Sequence, residues 1–136
     1  MQDSLTRLLA VCCLGFASLA TPAAASAQDL RRVALKSGES IELDTVYYVI
    51  NCRSVMTGVP EIEVLEGPPE VTLTIKAGPV VPRRFGCAKE VPGGTIVATA
   101  NNVKESKIAK LFYRVKYKTK EGDRQTANGY YVGLFP

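Results

Sequence analysis

Along most of the chain, apolar and polar residues alternate with the period of two expected of a strand with one buried face, not the 3.6 of an amphipathic helix. Val71, Leu73, Ile75 and Ala77 alternate with Thr72, Thr74 and Lys76. Val46, Tyr48, Ile50 and Cys52 do so with Tyr47, Val49 and Asn51, and Ile62 and Val64 with Glu61 and Glu63. Ile96, Ala98 and Ala100 interleave with Thr95, Val97 and Thr99, and Tyr113, Val115, Tyr117 and Thr119 with Phe112, Arg114, Lys116 and Lys118. Tyr130, Val132 and Leu134 end the chain, and a weaker strand covers Leu30 to Lys36.

Turn-forming groups separate these runs: Ser37-Gly38, Gly58-Val59-Pro60, Gly67-Pro68-Pro69, Gly78-Pro79, Pro92-Gly93-Gly94, Asn101-Asn102 and Glu121-Gly122-Asp123. A turn roughly every ten residues between short strands predicts an all-β fold, a two-sheet immunoglobulin-like sandwich of about seven strands. Val103 to Lys110 is too short and polar for a stable helix and reads as a loop or single turn. The last third predicts a long hairpin, with Gly129 marking a bulge or a close backbone approach. Pro79 to Gly94 lacks clean alternation and reads as a loop.

The first residues follow a different pattern. A short polar start with Arg7 leads into the apolar run Leu8 to Ala20, then Thr21-Pro22 and the small residues Ala23 to Ala27. This is the layout of a cleavable signal peptide over residues 1–27, with Ala25-Ser26-Ala27 as the cleavage site. The apolar run is about 13 residues, against roughly 20 for a membrane-crossing helix. Lipidation is disfavoured because Val11, not a small residue, precedes Cys12. The domain is then residues 28–136, in the periplasm or fully secreted.

Export changes the cysteine arithmetic. Of four cysteines, Cys12 and Cys13 would leave with the leader, so Cys52 and Cys87 have one possible pairing in an oxidising compartment. Closing a loop of that length contributes roughly 4 kcal/mol in the chain-entropy account. In antibody domains the second cysteine lies on the penultimate strand and a tryptophan packs on the bridge. Here Cys87 falls mid-chain and tryptophan is absent.

Composition narrows the chemistry. The chain has 136 residues, a net charge of +4 and no histidine. Without histidine there is no Ser-His or Cys-His pair and no His-containing zinc or copper site. The acidic residues Glu61, Glu63, Glu66 and Glu70 form no calcium loop, and Gly93-Gly94 lacks the lysine of a phosphate loop. No catalytic residues, metal or cofactor are therefore expected, and the chain reads as a non-enzymatic interaction module.

The strongest candidate for contact is basic. Arg114, Lys116, Lys118 and Lys120 alternate along one strand and so share a face. Lys104 and Lys110 lie upstream and Arg124 across the turn, while Arg83-Arg84 precedes Cys87. These suggest an anionic envelope component or an acidic protein as partner. The other reading of such a stripe is a solvated face whose lysines discourage edge-to-edge aggregation. Tyr47-Tyr48, Tyr113, Tyr117 and Tyr130-Tyr131 could stack sugars or simply pack the sheets. The modest net charge and the exported compartment argue against nucleic acid as a partner. An alternative function is a structural or accessory subunit of a surface appendage, joined by strand addition at a sheet edge.

In Phe85-Gly86-Cys87, Val91-Pro92-Gly93-Gly94 and Leu111 through Gln125, the chain resembles uncharacterised short exported proteins of Gram-negative bacteria. The resemblance implies compartment and fold. It carries no functional residues, because those segments are turns and strands.

Overall fold

The computed structural model describes residues 30–136. The expected leader over residues 1–27 and its cleavage site lie outside the described residues.

The described chain is all-β, with nine strands in three sheets and one short 3-10 turn, Arg83–Phe85. The strands are β1 (Arg31–Lys36), β2 (Ser40–Val46), β3 (Val49–Ile50), β4 (Arg53–Ser54) and β5 (Glu61–Glu66). They continue as β6 (Val71–Val80), β7 (Val91–Ala100), β8 (Lys107–Thr119) and β9 (Gly122–Phe135). One sheet has the order β1-β9-β8-β5, a second β2-β7-β6, and β3-β4 is a small ribbon. The expected count of about seven strands in two sheets omitted that ribbon, whose two-residue strands are too short to show a period.

The two larger sheets bury a common core. The first contributes Leu35, Leu111, Tyr113, Val115, Tyr130 and Val132, and the second Val46, Val71, Ile96, Ala98 and Ala100. β8 shows why the sequence folds this way. Its odd-numbered residues from Leu111 to Thr119 are buried, while Arg114 is half-buried and Lys116 and Lys118 are exposed. Tyr113 stacks on Tyr130 with ring centroids 6.2 Å apart, and the Tyr130 hydroxyl donates to the Leu43 carbonyl at 3.0 Å, joining the two sheets.

Several local expectations change. Lys107 to Lys110 is not a loop but the start of β8, paired with Leu134 through Tyr131. Pro79 and Pro92 do not bound a loop; they stand opposite each other in the β6–β7 ladder. Both are tolerated because β6 is an edge strand, and β7 has no β2 partner beyond Gly94. Gly93-Gly94 is likewise strand, not turn. A side chain at Gly93 would collide with the Val46 carbonyl and the Val80 side chain, so its glycine answers to packing. At Gly129 the close approach is confirmed and the bulge is not. The ladder runs through it without a shift, and the Phe112 ring lies over it, 2.5 Å from where a Cβ would be.

The Cys52–Cys87 disulfide is present, with a Cα–Cα distance of 5.5 Å. The alternating run Val46 to Cys52 does not continue as one strand: Cys52 sits in the β3–β4 turn, where Asn51 and Cys52 both adopt positive φ. The bridge ties this ribbon to the 81–90 loop, where the chain between β6 and β7 turns through Arg83–Phe85.

Candidate functional site

The basic stripe lies where alternation placed it, on the outward face of β8, but it has company. Pairing with β5 sets Glu63 opposite Arg114 and Glu61 opposite Lys116. Pairing with β9 sets Asp123 opposite Lys118. Directly opposed residues of an antiparallel pair share a face. The Lys116 ammonium donates to Glu63 at 3.0 Å, and the Arg114 guanidinium lies 3.8 Å from the same carboxylate. The Lys116 hydrogen bond holds the Glu63 carboxyl below its ordinary range. Three cations thus face three anions, and the stripe is a mixed-charge zipper. Lys120 stands outside it in the β8–β9 turn, its backbone N–H donating to Val55.

Arg84 is placed differently. Beyond Val46 the chain leaves β2 through Tyr47 and Tyr48, and the disulfide holds the 3-10 turn beside that segment. Phe85 packs edge-on against Tyr47, with centroids 6.1 Å apart, and Tyr48 packs against Tyr117 of β8 at 5.5 Å. Between these rings and the inner side of the β8–β9 hairpin lies a cleft of about 580 Å³. Val115 and Tyr117 line its apolar part, and Arg124, Thr126 and Asn128 of β9 its polar part. Burial raises the Tyr117 hydroxyl above its ordinary value, keeping it neutral.

The cleft brings Arg84 and Arg124 to one surface. Among the described residues, neither has a carboxylate within ion-pair distance. Two acids line the same space, Asp44 and Glu121. Asp44 is committed to Arg31 at 2.8 Å, which leaves Glu121 at the end of the hairpin. Arg83 borders a neighbouring depression with Val80 and Thr95. Arg114, Lys116 and Lys118 thus lie on the outer face of the sheet and Arg84 and Arg124 on the cleft, with Arg124 at the margin, where it also borders a depression lined by Lys116, Lys118, Glu61 and Asp123.

Comparison with protein-family models, curated proteins and solved structures finds no match to this chain.

Sequence reasoning had the tyrosines as a possible platform but missed Phe85, Thr126 and Asn128. The available signal was the disulfide, since whatever flanks Cys87 must sit beside whatever flanks Cys52. No cluster of three metal-ligating side chains occurs among the described residues.

Proposed function

We propose that this chain is an exported, non-enzymatic binding module that engages an anionic partner, an envelope component or an acidic protein, through its aromatic cleft. The observation carrying this reading is the meeting of Arg84 and Arg124, without ion-pair partners among the described residues, over the apolar surface of Tyr48, Tyr117 and Val115. Arginine forks suit carboxylate and phosphate groups, and neighbouring rings reduce the solvation that weakens such contacts. The disulfide is compatible with an oxidising compartment. No helix among the described residues is long and apolar enough to cross a membrane. An immunoglobulin-like reading is supported by strand order. β5, β8 and β9 take the places of C, F and G, and β2, β7 and β6 those of B, E and D.

The test is capture from envelope extract at low and high ionic strength. Arg84→Glu with Arg124→Glu abolishes the salt-sensitive capture, whereas Lys116→Glu with Lys118→Glu leaves most of it. The reverse pattern, or capture indifferent to salt, refutes the cleft as the binding surface.

A further inference from the structure

β9 is flanked on both sides for only part of its length. β8 pairs with it from Gly122 to Leu134, but β1 covers only Tyr130 to Phe135 on its other side. Among the described residues, nothing pairs with the outer edge of Gly122–Asn128, and all seven residues are exposed.

The backbone groups turned toward that edge can be named. The Ser37 N–H donates to the Phe135 carbonyl at 2.8 Å, so Phe135 faces its carbonyl to the β1 side. The β8–β9 ladder has no register shift, and in a regular strand alternate residues present their backbone groups to the same neighbour. Asp123, Gln125 and Ala127 therefore direct both N–H and C=O away from β8, beyond the start of β1. Arg124, Thr126 and Asn128 spend theirs on β8 and send their side chains into the cleft.

There is room beside this edge on both faces. The cleft opens on the inner face, and a second depression lined by Leu65, Phe112 and Ala127 opens on the outer face. A strand laid along Asp123–Ala127 would send alternate side chains toward Arg84 and Arg124 and toward Leu65 and Phe112.

From this we infer that the anionic partner of the cleft is an extended segment of another protein, with acidic and apolar residues in alternation, that adds as a strand to β9 through Asp123, Gln125 and Ala127. The inference rests on the cleft reading above and specifies its partner. Main-chain bonds to the three residues supply affinity, and the alternating side chains supply specificity. Charge complementarity to Arg84 and Arg124 selects an acidic segment. Of a second copy's edges, β1 and β6 bear Arg31, Arg32 and Lys76, and β2 commits Asp44 to Arg31. β5, although it alternates acidic and apolar residues, commits Glu63 to Lys116 and Arg114, so the occupant is another protein.

The experiment uses the naturally processed, oxidised protein and a fluorescent peptide of strictly alternating glutamate and valine, with a lysine–valine peptide as control. Anisotropy is expected to show at least tenfold preference for the glutamate peptide. N-methylation of alternate peptide bonds in the register that faces β9 is expected to remove binding, and Ala127→Pro to weaken it tenfold or more. Ala127→Pro removes an outward N–H and leaves the bonds to β8 in place, and circular dichroism checks its fold. Independently of any variant, amide exchange at Asp123, Gln125 and Ala127 is expected to slow on binding. Binding lost in Arg84→Glu/Arg124→Glu but unaffected by N-methylation, with no new amide protection, overturns strand addition and leaves the cleft reading standing. Equal binding of the two peptides overturns both; no binding of either overturns the strand-adding acidic partner, while the cleft reading stands or falls by the capture experiment above. Dimers forming through this edge without peptide would identify a second copy as occupant and overturn the choice of partner.

Discussion

Tyr113 and Tyr130 stack in the core, yet their hydroxyls have different fates. Tyr130 donates across the sandwich to Leu43, whereas Tyr113 is buried with no hydrogen bond of normal geometry. Removing the first leaves the part-buried Leu43 carbonyl short of a partner; removing the second deletes a polar atom that gains nothing from burial. Tyr130→Phe is expected to cost about 1 kcal/mol, and Tyr113→Phe to be neutral or stabilising by up to about 1 kcal/mol. Urea unfolding of both variants measures the difference, and an equal loss would show that Tyr113 has a partner. Alternation in the sequence set Tyr113 and Tyr130 at the apolar positions of their strands. It carried no information on which hydroxyl would meet a carbonyl from the other sheet.

At the scale of elements, the disulfide and the β8–β9 hairpin form the two walls of the cleft. The bridge holds the β3–β4 ribbon to the loop bearing Arg84 and Phe85, and neither segment has enough secondary structure to hold that arrangement alone. Replacing both cysteines with alanine is expected to lower stability by roughly 4 kcal/mol. It should also loosen Tyr47, Arg84 and Phe85 before the main sheets unfold. Amide exchange resolves the two effects: protection should fall first over residues 47–55 and 81–90, while β7 and β8 keep theirs. A uniform loss would mean that the bridge acts only through global stability. The hairpin was legible from its period, as was the pairing of two thiols. The ribbon was not, because two residues cannot display a repeat. Gly93-Gly94 was misread for a related reason, since a glycine required by a close neighbour looks in sequence like one required by a turn.

For the whole molecule, the consequential titrations are those of the buried tyrosines. Burial raises the hydroxyls of Tyr113, Tyr117 and Tyr130 above the ordinary value of about 10. The folded state therefore holds these protons where the unfolded chain releases them. Their contribution to stability is fully present below about pH 10 and is lost as pH rises beyond it. Denaturant midpoints should thus fall steeply above about pH 10, with phenolate absorbance from these tyrosines appearing together with unfolding. Tyr117→Phe should make that fall shallower. Phenolate signals from the three that precede unfolding would show that the core is open to hydroxide.

By itself, the sequence determined the all-β class, the inward face of most long strands, the terminal hairpin and the thiol pair. Each follows from a local property: the pleat makes every second side chain a neighbour, and two thiols have one way to combine. Tertiary structure decided which strands lie side by side, because many strands share the same alternation and are sorted only by long-range burial. That sorting placed Glu61 and Glu63 beside Arg114 and Lys116, neutralising the stripe that looked most suited to binding. It also brought Arg84 to the same cleft as Arg124, and among the described residues it left the first half of β9 without β1 beside it.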